Sequence, residues 1–227
     1  MNDTIDCIDC KELSLREASS KIKDLVSRGR RVELVNPSDL HGLASGLKSG
    51  EITVRGRASD FLGMFNQGAK IIVEGDAGAY VGDNSHDGEI WVKGDVGEGL
   101  GVYAYGGTFV VSGNAGNAAG EALKGGFLAI DGDVGDDVGR YMVGGRIVIC
   151  GNAGKNLGHM MIRGEIFLCG EAESLGSNSK YTDPTEGDLD FLRELLGKYG
   201  MEAEVEKFKK VVPISPCCSN KWYQWLR

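Results

Sequence analysis

Two pairs of cysteines carry the sharpest chemical possibility in this chain. Cys7-Ile8-Asp9-Cys10 is a CxxC, and Cys217-Cys218 is a vicinal pair. Four thiolates brought together would bind zinc or an iron–sulfur cluster. Only the first pair has ordinary ligand spacing, and the site requires both ends of the chain to meet, so free thiols are the plainer expectation. Ser85-His86-Asp87 has the residue types of a hydrolytic triad. Three consecutive side chains do not converge, however, and a triad is assembled by folding. His41, His86 and His159 fall at unrelated positions of the chain's repeat and suggest neither a metal cluster nor a general base. A free-standing hydrolase would need a nucleophile beside a base, and there is no Gly-x-Ser-x-Gly elbow.

Glycine and aspartate raise two further possibilities. Gly94-Asp95-Val96-Gly97-Glu98-Gly99 brushes against nucleotide-binding fingerprints, but a phosphate loop occurs once, after a strand and opening a helix. Here the unit Gly-[Asp/Asn]-[Ala/Val]-Gly-x-x-x-Gly recurs: Gly75, Gly78 and Gly82; Gly94, Gly97 and Gly101; Gly113, Gly116 and Gly120; Gly132, Gly135 and Gly139; Gly151, Gly154 and Gly158. Structural turns are the expectation. Asp76, Asp95, Asp131, Asp133, Asp136 and Asp137 suggest calcium between repeats, yet the calcium nonapeptide is missing and Asn114 and Asn152 enter the same column. Hydrogen-bonded turn ladders explain that mixture better.

The elements that must position all these residues follow from the period. Gly56, Gly75, Gly94, Gly113, Gly132, Gly151 and Gly170 recur at one constant interval without a break, the mark of stacked solenoid coils. Two apolar columns, Ile52, Ile71, Ile90, Phe109, Leu128, Ile147, Ile166 and Val54, Val73, Val92, Val111, Ile130, Ile149, Leu168, keep the same interval and lie two positions apart. That spacing and the β-branched content predict one short strand per coil. Bounded by Gly-Gly pairs before it and a Gly-Asp/Asn turn after it, the strand leaves no room for a helix within one period. The fold class is therefore an all-β solenoid, a parallel β-helix of 19-residue coils, each strand pairing with its equivalents about 4.8 Å away. Ala58, Ala77, Val96, Ala115, Val134, Ala153 and Ala172 form a third inward column at a corner. The glycines supply positive-φ bends and close approach between coils.

The expected organisation is a lead-in and cap over 1–48, the solenoid over 49–172, and a loop and helical tail over 173–227. Thr4–Ile8 and Arg31–Val35 read as strands around a helix opened by a Ser14/Glu17 capping box, with Leu15, Ala18, Ile22, Leu25 and Val26 on one face and Gly29 stopping it. Lys180–Gly187 reads as a polar loop; Asp188 is the expected N-cap of a helix carrying Leu189, Leu192, Leu195, Leu196 and Tyr199, and Met201–Lys210 is expected to continue as a second helix before Pro213. One column is out of place: Thr53, Ile72, Trp91, Val110, Ala129, Val148 and Phe167 should point outward, yet nearly all are apolar. Either the C-terminal helix or another protein covers them. Cys150 and Cys169, one period apart, are expected to stack in neighbouring coils as small apolar residues.

A formal net charge of −8, with no basic run, argues against nucleic acid. No apolar stretch reaches spanning length and the first residues lack signal-peptide character, so a soluble, cytoplasmic protein is expected.

The recurring G-x-x-G-x-x-x-G unit, the strand–helix–strand lead-in, and the tail Asp188-Leu189-Asp190-Phe191-Leu192 with Phe208-Lys209-Lys210-Val211-Val212-Pro213 resemble the GXGXG domain of glutamate synthase. That domain is a right-handed β-helix at the C-terminus of the large subunit, and a separate chain in many archaea and some bacteria. The resemblance covers residues 4 to about 213. One structural component of formylmethanofuran dehydrogenase shares the repeat, and a place in that molybdenum or tungsten enzyme is the alternative; the helical tail leans towards glutamate synthase. Ser215-Pro216-Cys217-Cys218 and Lys221-Trp222-Tyr223-Gln224-Trp225 depart from the family's tail.

The resemblance implies a noncatalytic scaffold subunit in glutamate biosynthesis. Glutamine hydrolysis would belong to an amidotransferase partner with an N-terminal cysteine nucleophile. Amination of 2-oxoglutarate would belong to a partner carrying FMN and an iron–sulfur cluster. No cofactor and no catalytic residue are expected in this chain; a homo-oligomer is compatible with the sequence.

Overall fold

The computed structural model describes residues 5–37 and 40–215. Eleven strands form one sheet. Strands β1 (Ile5–Asp9) and β2 (Arg31–Val35) flank helix α1 (Leu15–Ser27). Then come β3 (Glu51–Arg55), β4 (Gln67–Val73), β5 (Asp87–Val92), β6 (Thr108–Val111), β7 (Phe127–Ile130), β8 (Arg146–Ile149) and β9 (Glu165–Leu168), one per coil. Strand β10 (Ser179–Thr182), helix α2 (Glu186–Tyr199) and β11 (Lys209–Pro213) complete the chain. Strands β1 to β9 follow one another in spatial order and pair in parallel, and β11 and then β10 close the far side antiparallel.

The register is the sequence period made physical. Ile52 pairs with Ile71, Ile71 with Ile90 and Ile90 with Phe109, and the valine column pairs with itself two positions later. Both columns are buried in one continuous core. The alanine and valine corner column forms isolated parallel bridges from Ala58↔Ala77 to Ala153↔Ala172, as the sequence predicts.

Beyond that corner each coil runs through a turn segment whose backbone the sequence does not announce. Phe61, Gly63 and Phe65 all have φ between +57° and +65°. Their amides reach alternately forward and back, Phe61 N–H to the Ala79 carbonyl (2.8 Å), Gly63 N–H to Leu43 (2.9 Å) and Phe65 N–H to Asp83 (2.9 Å). The turn is thus a hydrogen-bonded ladder, which satisfies buried backbone groups without strand geometry.

The lead-in folds as expected. Ser14 and Glu17 form the reciprocal capping box, and Gly29 takes φ +72° just past the end of α1. Ala18 and Ile22 enter the solenoid core, with Leu25 and Val26 packed at its margin and Leu15 exposed. Strand β2 pairs with β3, so the lead-in extends the solenoid sheet as well as covering its end.

The C-terminal arm departs from expectation in three places. Ser179–Thr182 is strand β10 rather than loop. The N-cap of α2 is Thr185, with Asp188 as the third helical residue of its capping box. Instead of a second helix, a 3-10 turn at Val205–Lys207 leads into β11. That strand hides from pattern reading because Lys210 is buried in its middle. The ammonium is held by Glu165 and by Asp188 at 2.9 Å and lies 5.4 Å over the Phe167 ring.

Helix α2 covers the misplaced apolar column. Val110, Ala129, Val148 and Phe167 share a second core with Leu192, Leu195, Leu196 and Tyr199, with Trp91 at its margin. Trp91 meets Tyr199 edge to face at 5.4 Å. Thr53 and Ile72 lie outside this core, so the helix covers the column only from Trp91 onward. At about 1.5–3 kcal/mol for each large side chain removed from water, this contact holds α2 down, beside the pairing of β11 with β9.

The buried ion pair makes the arm acid-sensitive. Burial alone would raise the Asp188 carboxyl, but Lys210 and the Thr185 amide and hydroxyl hold it, on balance, below its ordinary 3.8. A carboxyl depressed in the folded state adds stability above its unfolded value, and that stability is lost as pH falls through the folded one. Stability should therefore drop as pH falls below about 4. Asp188→Asn should cost about 2 kcal/mol at neutral pH and flatten the acid limb of a pH–stability curve; an unchanged limb would count against the pair.

Candidate functional site

Each group with catalytic potential goes to a separate place. The buried Ser85 hydroxyl donates to the Gly63 carbonyl at 3.4 Å. His86 stacks on Tyr105, with ring centroids 4.8 Å apart, and the exposed Asp87 accepts from the Gly88 amide. His41 contacts Asp60 at 3.2 Å and Ser59 at 2.9 Å, and His159 accepts from the Ser177 amide. Among the described residues, no group of three or more His, Cys, Asp or Glu side chains is placed to hold a metal ion.

Cys7 lies in β1 at one edge of the sheet, with Cys10 buried just beyond it. Cys217 and Cys218 lie outside the described residues. The last described residue, Ser215, hydrogen-bonds Asn178 at the opposite, β10–β11 end. Over the described residues, then, the two ends of the chain do not meet.

Cys150 and Cys169 are free thiols in neighbouring coils, packed at the margin of the second core. Burial, followed by the Asp131 carboxylate, pushes the Cys150 thiol up to about 12. Thiolate is the reactive form. Of the four described cysteines, the exposed Cys7 should therefore alkylate first at pH 8, well before the buried Cys10 and the half-buried Cys150, read by peptide mass mapping; Cys150 labelling as early as Cys7 would contradict its placement.

The aspartates and asparagines act on backbone. Oδ1 of Asp76 accepts from the Asp95 amide (2.9 Å), Asp95 from Asn114 (2.7 Å), Asn114 from Asp133 (2.8 Å), Asp133 from Asn152 (2.6 Å) and Asn152 from Glu171 (3.0 Å). Asn between aspartates keeps the acceptor while interrupting a column of like charges.

The turn glycines divide into kinds that the sequence does not separate. At the first glycine of each unit, Gly75 through Gly170, and at the second, Gly78 through Gly154, an added Cβ would meet the preceding coil's backbone at 3.0 Å or less. At the third, such as Gly82 (φ +67°), it would enter the core against Phe109 on a left-handed backbone. Gly56 has φ +85° and open space around it.

Among the described residues, two surface grooves are the candidate sites. A groove of about 680 Å³ runs beside Lys124, Arg146, Arg163 and Glu165, under Val212 and Pro213 of β11, and one of about 480 Å³ follows the Asp133–Asn152–Glu171 ladder. Arg146 is paired with Glu165 at 2.9 Å, and Lys124 lies 3.7 Å over the Tyr105 ring.

The more extensive feature was missed in the sequence. Phe65, Tyr103, Tyr141 and Met160 occupy one position of the period, and each is 43–45% exposed. Their spacing by whole periods was the available signal.

Fold and ladders together define a parallel β-solenoid of glycine-punctuated coils, sealed by a helical arm. Consistent with that architecture, the model of the GXGXG motif family matches residues 38–214. The chain belongs to the GXGXG motif family. It matches no curated protein. No helix among the described residues is long and apolar enough to cross a membrane.

Proposed function

We propose that this chain is a noncatalytic structural subunit of a glutamate synthase, holding a glutamine amidotransferase subunit and an FMN-containing subunit in register. Membership of the GXGXG family carries the reading, and the lead-in and tail that resemble the glutamate synthase domain sharpen it. FMN and the iron–sulfur cluster belong, in this reading, to the partner.

The mechanism is positional. A continuous core runs from α1 to β11, and coils whose backbones approach too closely for a Cβ yield little, so the solenoid behaves as a stiff spacer. Two active sites held at fixed separation pass ammonia from one to the other at a high effective concentration.

The test is association. The purified chain should run with the FMN-containing subunit as one stable species in size-exclusion chromatography. Separate elution, or recovery instead with a molybdenum or tungsten enzyme, would overturn the assignment.

A further inference from the structure

The larger groove runs against the charge of the chain that carries it. The whole protein has a net charge of −8, yet Lys124, Arg146 and Arg163 all line this groove, and Glu165 is the one carboxylate among its lining residues. That carboxylate is already engaged on both sides, by Arg146 at 2.9 Å and by the buried Lys210 of β11. Lys124 and Arg163 are exposed. The local field therefore favours an anion where the rest of the molecule repels one.

The chain itself shows which anion chemistry suits this turn. Ala69, Gly88, Gly145 and Gly164 stand at one position of the coil, each directly before a residue of the ladder that runs through Lys70, Glu89, Arg146 and Glu165. In the earlier coils the amide at that position is met by a side-chain oxygen: Asn66 Oδ1 accepts from Ala69 N–H at 3.0 Å, and Oδ1 of the exposed Asp87 accepts from Gly88 N–H at 2.8 Å. In the groove the residue before each amide is Gly144 or Arg163. Neither supplies a carboxylate, and among the described residues the amides of Gly145 and Gly164 donate to no acceptor. Stacked amides beside ammonium and guanidinium groups are a carboxylate site. Lys124 and Arg163 lie two coils apart, about 10 Å along the solenoid, a span of about three residues of extended chain. Val143, 39% exposed, and Pro213 give the groove an apolar wall suited to a side chain between the carboxylates.

We propose that this groove binds an extended acidic segment of a partner protein, its carboxylates taken by Lys124, Arg163 and the Gly145 and Gly164 amides while Arg146 keeps Glu165 engaged. The inference does not depend on the glutamate synthase reading.

Fluorescence anisotropy of a labelled hexaglutamate peptide with the full chain tests it. The peptide should bind at low ionic strength, despite the chain's net charge, and be released as salt rises. Lys124→Glu with Arg163→Glu should weaken binding about tenfold or more. Lys21→Glu with Lys23→Glu, an equal charge change at exposed positions of α1, should weaken it about twofold at most. On the unmodified chain, carbodiimide should couple the peptide to Lys124 ahead of Lys21 and Lys23, read by peptide mass mapping. Absence of binding, equal weakening by the two double variants, or coupling to Lys21 and Lys23 as readily as to Lys124 would overturn the proposal. So would free succinate competing at the peptide's own concentrations, which would mean a small carboxylate is the ligand, or a single-stranded oligonucleotide of equal charge binding as tightly.

Discussion

Gly116→Val should destabilise the solenoid by about 3 kcal/mol, among the larger effects of a single substitution. A Cβ on Gly116 would lie 2.7 Å from the Glu98 nitrogen and 2.8 Å from the Gly97 carbonyl carbon. Both are backbone of the preceding coil, so no side chain can turn aside. Relief requires the coils to separate, which stretches the bonds from Gly116 N–H to the Val96 and Gly97 carbonyls. Gly197 is the contrast: inside α2, with nothing beyond its chain neighbours and its own helix's backbone within 4 Å of its would-be Cβ, its change to alanine should stabilise by about 0.5–1 kcal/mol. Urea unfolding reads both. A valine variant that unfolds with the parent would refute the inter-coil packing.

Leu192→Asp should release the C-terminal arm. Leu192 is fully buried against the column that ends in Phe167. An unpaired carboxylate there should cost about 3–5 kcal/mol. Because α2 covers only the outer face while β11 stays paired with β9, the coils should keep their β-sheet circular dichroism while dye binding rises on the uncovered Val110, Ala129, Val148 and Phe167. Proteolysis should then cut between Thr182 and Lys209. Unchanged dye binding and intact α2 would mean that the arm is not held by this contact.

The coils were legible because one short period repeats its own message. An inward column two positions from another, copied in every coil, leaves a single register, and a one-residue slip would turn every isoleucine outward. The outer column was legible as an anomaly, and Trp91 to Phe167 bear out the reading that a helix of the same chain covers it. The arm's last third was not legible, because its strand is held by a buried Lys210 whose partners, Glu165 and Asp188, come from β9 and α2, both distant in sequence. Pattern reading treats lysine as solvent-facing. The candidate surface was hidden for a similar reason: Phe65, Tyr103 and Tyr141 look like core residues by type, and only the left-handed turn backbone sends them outward.

The central claim, that this chain works as a noncatalytic part of a glutamate synthase, is tested most directly by reconstitution. Glutamate formation from 2-oxoglutarate is measured with the FMN-containing and amidotransferase subunits, with and without this chain, using glutamine or free ammonia as the nitrogen donor. Adding the chain should raise the glutamine-dependent rate and leave the ammonia-dependent rate nearly unchanged, because only the first needs two sites held together. A full glutamine-dependent rate without the chain, or turnover by the chain alone, would contradict the account.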